Sequence, residues 1–363
     1  MKSSEFIDQL LTIDVKNYYG VPDSLMSSLS KYLSLNDNNK INHKIMHNEG
    51  GAVGVAVGKY ISNKEISAVY LQNSGIGNIV NPIASLTNKY VFSIPVLYII
   101  GWRGEPGIKD EPQHAFQGSI TKEILEILDI EYIVLETFED LNLEKIDKVL
   151  KSRKSFALII KKNFFDPSEL SFEKNKNSLI RKNVINSLYE AYDEKTLFIS
   201  TTGKTSRELY EITKNKQKTR SFFSIGGMGH ASSIAYGVAE NNENQVVCFD
   251  GDGAFLMHAG AISIIGTSDL KNFHYILINN YAHESVGGQP TIANKINYKL
   301  IAEANQFEEY VEIKNLKELE NFISNISFYN GKKLFLELHV EIYSDKNLPR
   351  PDLSPKEYLE KFN

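Results

Sequence analysis

Apolar side chains along this chain fall in short continuous runs rather than in alternation with polar ones. AVYLQ (68–72), VLYII (96–100), FALII (156–160), TLFIS (196–200), VVCF (246–249), HYILI (274–278) and LFLEL (334–338) are rich in β-branched and aromatic residues. A run without polar gaps predicts a strand covered on both faces, as in a parallel sheet sandwiched by helices. Helix-length stretches lie between the runs, among them SLMSSLSKYL (24–33), TKEILEILDI (121–130) and RKNVINSLYEAY (181–192). Strands alternating with helices predict an α/β chain with mainly parallel sheets. The polar, proline-bearing stretch DPSELSFEKNKN (166–177) interrupts this alternation. It predicts a first domain over residues 1–165, a linker over 166–180 and a second domain over 181–363.

The two halves share a plan. GGAVGVAVGKY (50–60) precedes AVYLQNSGIGN, and GGMGHASSIAYGVAE (226–240) precedes VVCFDGDGAF. Superposing them places Ser74-Gly75 on Asp252-Gly253, an offset of 178 residues. The pattern predicts a duplicated α/β unit in which the second copy alone carries the acid.

That acid is the first chemical signal. Ligands of open α/β sheets sit beyond the carboxyl ends of strands, where glycines let the backbone approach closely. The apolar stretch after Gly253 predicts a helix whose first N–H groups would point at the same place and favour phosphate. Asp252 would repel a phosphate unless a cation lay between them, and Mg²⁺ binds carboxylate, phosphate oxygens and water together. The strand HYILINN ends in Asn279-Asn280, 28 residues after Asp252. One helix and one strand fill that gap, so Asn280 is expected beside Asp252 at one sheet edge. A carboxylate, a carboxamide and a nearby backbone carbonyl form a hard-oxygen set suited to Mg²⁺.

Composition narrows the classes. The chain has 363 residues with 42% hydrophobic and 23% charged side chains, enough for two sizeable cores. A net charge of −5, with no Lys/Arg cluster interleaved with aromatics, argues against nucleic acid as the main partner. No apolar run reaches the roughly 20 residues needed to span a bilayer, and MKSSEFIDQLL does not read as a signal peptide. Cys248, the single cysteine, lies inside a predicted buried strand and excludes an internal disulfide. Cytoplasm is the expected location.

Gly-Asp-Gly followed at this spacing by Asn-Asn resembles the thiamine-diphosphate enzymes. Within them the chain looks most like the phosphonopyruvate decarboxylase branch, with sulfopyruvate decarboxylase a near relative. The carrying segments, in order, are YYGVPDS (18–24), HNEGGAVG (47–54), QNSGIGN (72–78), GWRGEPGIKDEPQHAFQG (101–118), TTGKTSRELY (201–210), GGMGHASS (226–233) and AHESVGGQPT (282–291). The resemblance implies two Rossmann-like three-layer α/β domains, one binding the pyrimidine and one the diphosphate, with no middle domain. It implies thiamine diphosphate and Mg²⁺ as cofactors, and self-association with active sites at subunit interfaces. One departure stands out: Tyr281 occupies a place usually held by glycine, which demands unusual backbone geometry.

Carried over position by position, the resemblance makes Asp252, the Asn280 side chain and the Ala282 carbonyl the metal ligands. Gly253 and Ala254 would hold the diphosphate through their N–H groups, Thr202, Gly203 and Gly226 would also bind the coenzyme, and Met228 would prop it. Glu49 would contact the coenzyme's pyrimidine ring and help activate it; on composition alone it is a helix-terminal acid favouring the dipole. His283 and His230 are candidates for proton transfer, whereas His43 and His258 read as structural. A substrate bearing a carboxylate and a phosphonate needs cations and donors, for which Arg103, Lys109, His114, Lys204, Arg207 and Ser285 are the candidates. The expected reaction is decarboxylation of 3-phosphonopyruvate to phosphonoacetaldehyde, with phosphonate biosynthesis as the implied pathway. The alternatives are sulfopyruvate decarboxylation, whose enzymes often have the two halves on separate chains, carboligation to an aldehyde, and a non-catalytic Mg²⁺- or nucleotide-binding α/β protein. No Walker-type GxxxxGK[ST] motif is present for the last.

Overall fold

A computed structural model describes residues 1–36, 40–173, 175–215, 220–345, 347–349, 352 and 354–362. Residue 174, inside the predicted linker, lies outside the described residues. The described chain divides into two compact units, one of residues 1–172 with 283–289, the other of residues 173–282 with 290–363.

The first unit holds six strands: β1 (Asn17–Gly20), β2 (Asn42–Ile45), β3 (Ser67–Gln72), β4 (Val96–Gly101), β5 (Glu131–Leu135) and β6 (Phe156–Ile160). They form one parallel sheet in the order β2-β1-β3-β4-β6-β5. The second unit holds β7 (Leu197–Ser200), β8 (Ser221–Phe223), β9 (Val246–Gly251) and β10 (Phe273–Asn279), and after two short strands, β11 (Ala282–His283) and β12 (Gln289–Pro290), it adds β13 (Glu309–Ile313) and β14 (Leu334–His339). Its parallel sheet runs β13-β14-β10-β9-β7-β8. Numbered within each unit and read from opposite edges, the two orders are the same, as a duplicated unit requires.

Burial explains the pattern of the sequence. Every residue of β4, β6, β7, β10 and β14 is buried, because helices cover both faces of each sheet. Each sheet therefore packs two cores, one per face. Truncating a fully buried member such as Ile99 to alanine costs about 2–5 kcal/mol. The predicted helix over 121–130 is the second half of a longer one, Pro112–Ile127, whose glycine- and glutamine-bearing first half hides its periodicity. The helix predicted over 24–33 runs over Ser27–Leu35. No helix among the described residues is long and apolar enough to cross a membrane.

Candidate active site

In the second unit, register delivers the chemistry to one edge. β9 pairs with β10 through Ile278↔Gly251 and with β7 through Ser200↔Phe249. The segments leaving these strands are thus neighbours: Thr202-Gly203 after β7, Asp252-Gly253-Ala254 after β9, and Asn280 after β10. Gly203 has φ +86° and starts the helix Lys204–Thr213, a turn that a side chain would strain. Gly229, at φ +85°, lets the GGMG turn pass close to the helix Asp252–Met257, since a Cβ there would stand 3.1 Å from the Ala254 oxygen and 2.5 Å from His258. Met228 and Gly226, both half-buried, belong to the same turn.

The two acids of the motif have separate roles. Asp250 is buried and accepts from the Tyr275 hydroxyl at 2.8 Å and from the Gly251 amide at 3.0 Å, which makes it part of the core. Asp252 is 3% exposed, and burial pushes its carboxyl up to about 7. The Thr291 hydroxyl and the Gly253 and Asp252 amides oppose that rise, and the neighbouring Asp250 adds to it. No cation is among these influences. A buried carboxylate without a counter-charge is costly, so this position fits a divalent cation. Asn280 is also buried; its Oδ1 accepts from the Ala282 amide at 3.0 Å, which curls the loop into a turn. The Asn280 carbonyl accepts from Asn175 at 3.0 Å and the Tyr281 carbonyl from the Thr291 amide at 2.9 Å. Tyr281 adopts φ +63°, the geometry its replacement of glycine demanded. Its hydroxyl hydrogen-bonds His339 Nδ1, and burial beside Glu337, Glu312 and Asp252 pushes it up to about 12, so it keeps its proton.

In the first unit the corresponding edge carries Glu49. Asn48 caps the helix Glu49–Asn63 by accepting from the Gly51 amide at 2.7 Å. Glu49 is 5% exposed, and burial raises its pKa against a hydrogen bond from Asn78 Nδ2 to Oε2 at 2.6 Å. Gly75, in the turn after β3, makes room for it: a Cβ there would lie 2.4 Å from Glu49 Oε1. Arg103, after β4, is not an isolated cation. It donates two N–H groups to Asp110, at 2.8 and 2.6 Å, and a third to Ser24 Oγ at 2.9 Å, holding the Asp110 carboxyl well below the usual range. Lys109 is exposed and His114 half-buried on the same loop.

Histidines and remaining cations sort by unit. His283 and Ser285 lie in the segment 283–289, which groups with the first unit although the sequence division assigns it to the second domain. The Gln289 side chain ties that segment to Ser30 Oγ. Burial pushes His283 down to about 4, leaving it neutral near pH 7. His230 is exposed; its Nδ1–H donates to the Gly227 carbonyl at 3.1 Å, and its ring lies 4.5 Å from that of His258. Lys204 and Arg207, both half-buried, belong to the second unit. His43 is half-buried on the edge strand β2, with Nε2 2.8 Å from the Tyr70 hydroxyl.

Asp23 was not legible as a site residue. It follows β1, is fully buried and lies against β4, where a Cβ on Gly101 would come 2.1 Å from its Oδ2. Its Oδ1 has no hydrogen-bond partner among the described residues, and burial pushes it up to about 6 against the pull of Arg103. Such a carboxyl is suited to give or take a proton near neutral pH. Asp23 lies three residues beyond the end of β1, inside YYGVPDS, and the motif was the available signal. Thr291, in AHESVGGQPT, gave no chemical signal beyond its motif.

Known proteins carry the same segments. A family model described as thiamine pyrophosphate enzyme, N-terminal TPP binding domain, matches residues 3–126, and the corresponding C-terminal TPP binding domain matches residues 201–333. Phosphonopyruvate decarboxylase from Streptomyces viridochromogenes is 27% identical over 380 residues, covering 99% of this chain and 94% of that protein. Sulfopyruvate decarboxylase from Methanosarcina acetivorans is 26% identical over 349 residues, covering 88% of this chain and 86% of that one. The beta subunit of sulfopyruvate decarboxylase from Methanocaldococcus jannaschii is 36% identical over 146 residues, 40% of this chain and 76% of the subunit. The Methanosarcina protein spans both halves, so their joining in one chain does not separate the two activities.

Proposed function

We propose that this chain, which belongs to the thiamine pyrophosphate enzymes and is a thiamine-dependent decarboxylase, acts on 3-phosphonopyruvate and releases phosphonoacetaldehyde and carbon dioxide. The observation that carries the cofactor site is Asp252, a buried carboxyl on which no Lys or Arg is seen to act among the described residues, at the strand end next to that of Asn280. In this reading Asp252 and Asn280 hold Mg²⁺ together with the Ala282 carbonyl of the same loop. Thr202, Gly203, Gly226, Gly253 and Ala254 face the diphosphate, and Met228 supports the coenzyme. Bound thiamine diphosphate supplies the electron sink for the pair left behind as carbon dioxide departs.

The remaining tasks fall to side chains. Asn78 occupies Glu49 Oε2, so Oε1 is the atom that exchanges a proton with the coenzyme's ring. Because Glu49 and Asp252 belong to different units, self-association that joins the first unit of one subunit to the second of another would complete the site. Neutral His283 can accept a proton, and Asp23 and His230 are further candidates for proton transfer. Arg103 spends three of its five N–H donors on Asp110 and Ser24, leaving two for a substrate oxyanion. Its charge is balanced by Asp110, so a phosphonate near two negative charges calls for Lys109, Lys204 or Arg207 as well, with His114 and Ser285 as hydrogen-bonding partners.

Sulfopyruvate is the second reading, supported by the single-chain Methanosarcina relative at 26% identity. The test is carbon dioxide release by the chain with thiamine diphosphate and Mg²⁺, on phosphonopyruvate, sulfopyruvate and pyruvate in parallel. The expected kcat/KM favours phosphonopyruvate over sulfopyruvate by at least about tenfold, a gap a few polar contacts supply. Equal or faster turnover of sulfopyruvate would transfer the assignment to it.

A further inference from the structure

Asn280 is flanked by two residues, Asn279 and Tyr281, whose side chains are tied to β14. Tyr281 holds φ +63°, a conformation disfavoured for any residue with a Cβ. Glycine would satisfy this turn without strain, so a tyrosine there needs an anchor. β14 provides one. Its register sets Glu337 opposite Leu277 and His339 opposite Asn279, two residues apart on the face turned toward the end of β10. The Tyr281 hydroxyl meets His339 Nδ1, and His339 Nε2–H donates to Glu312 Oε1 at 2.9 Å. Glu337 accepts from Asn279 Nδ2 at 2.9 Å through one oxygen and from the Tyr310 hydroxyl at 2.7 Å through the other. The Tyr281 amide joins the two arms by donating to Asn279 Oδ1 at 3.2 Å.

Glu312, Glu337 and His339 bring ligand atoms within 4.8 Å of one another, but these hydrogen bonds already use them. The set is a brace, and residues 279 and 281 are its two attachment points, one on each side of Asn280. We propose that Tyr281 and His339 are positioning residues that fix the Asn280 carboxamide for Mg²⁺, so that cofactor affinity in this chain depends on a hydroxyl–imidazole tie where glycine would need none. The inference rests on the reading of Asp252 and Asn280 as the cation ligands.

The test compares Tyr281→Phe, Tyr281→Ala and Tyr281→Gly by calorimetric titration with thiamine diphosphate at fixed Mg²⁺, and by thermal unfolding without cofactor. Loss of an outer partner to a metal ligand typically weakens binding 10–100-fold, so Tyr281→Phe is expected to lose roughly tenfold in affinity. Its cofactor-free unfolding should stay close to that of the wild type, and in turnover assays saturating cofactor should restore the rate. Tyr281→Ala keeps the strained backbone without the tie and should bind weakest; Tyr281→Gly sheds the strain and should recover part of the affinity. A Tyr281→Phe affinity within twofold of wild type, or Tyr281→Gly binding no better than Tyr281→Ala, would overturn the brace while wild-type binding leaves the cation site standing. A wild-type protein that takes up no Mg²⁺–thiamine diphosphate would overturn both.

Discussion

Replacing Asp252 with asparagine separates the cost of its charge from its use. Burial moves this carboxyl from 3.8 to about 7. At about 1.4 kcal/mol per pKa unit, holding it ionised at pH 8 in the cofactor-free protein costs at most about 4 kcal/mol. Local relaxation and water entry bring that nearer about 2 kcal/mol. The sign follows from linkage: with the folded pKa above the unfolded one, the contribution is complete below about pH 4 and is lost as pH rises through about 7. The substituted carboxamide would keep an oxygen for the Thr291 hydroxyl but carry no charge. Asp252→Asn should therefore nearly match the wild type at pH 4 and exceed it at pH 8 without metal. For a unit of this size about 2 kcal/mol is roughly 4–8 °C in Tm. Mg²⁺ with thiamine diphosphate should then raise the wild-type Tm at pH 8 and leave the variant's nearly unmoved. Thermal unfolding at the two pH values, with and without cofactor, reads all four quantities. A variant no more stable than wild type at pH 8, or one still stabilised by Mg²⁺–thiamine diphosphate, would refute the reasoning.

Gly75→Ala would set a Cβ 2.4 Å from Glu49 Oε1 and displace the carboxyl; a shift near 1 Å in a reacting group costs roughly hundredfold in kcat. Glu49→Gln, the control in the same steady-state assay, should lose at least as much while cofactor affinity by titration stays close to wild type, and an active Glu49→Gln would remove Glu49 from the chemistry. Arg103→Ala deletes three hydrogen bonds and leaves Asp110 without its partner. The expected result is a raised substrate KM together with a stability loss of about 1–3 kcal/mol by denaturant titration, and an unchanged KM would confine Arg103 to a structural role.

What the sequence disclosed follows the cover on each strand. β3, β4, β6, β7, β9, β10 and β14 were all legible as continuous apolar runs, and all are interior strands. β2, β5, β8 and β13 were missed, and each lies at a sheet edge. An edge strand has one neighbour and partial exposure, and in NHKI and EYVEI polar residues interrupt the apolar run; β5 does carry one, Tyr132–Leu135, directly after the predicted helix 121–130. β1 escaped for another reason: it is interior but only four residues long and opens with Asn17. At the site, spacing placed Asp252 and Asn280 together because strand and helix lengths are nearly fixed. It could not reveal that Asp110 balances Arg103, since that pairing depends on the path of an irregular loop punctuated by Gly104 and Gly107, both at positive φ.

The duplication sharpens the same point. Both units build one strand order, and in both a glycine-bearing turn leaves the strand after the small-residue helix. In the first unit that turn is Asn73-Ser74-Gly75, and the missing Cβ of Gly75 serves Glu49. In the second it is Gly251-Asp252-Gly253, and the acid belongs to the turn itself. A scaffold used twice thus offers two carboxylates at equivalent sheet edges, one from the start of a helix and one from the end of a strand. Each is buried, and burial raises the pKa of each; Glu49 accepts from the Asn78 amide and its own backbone amide, whereas Asp252 accepts from the Thr291 hydroxyl and two backbone amides and has the like charge of Asp250 beside it. The like charge of Asp250 beside Asp252, with no counterpart among the influences on Glu49, is why the proposed reading gives the first a proton to exchange and the second a cation to hold.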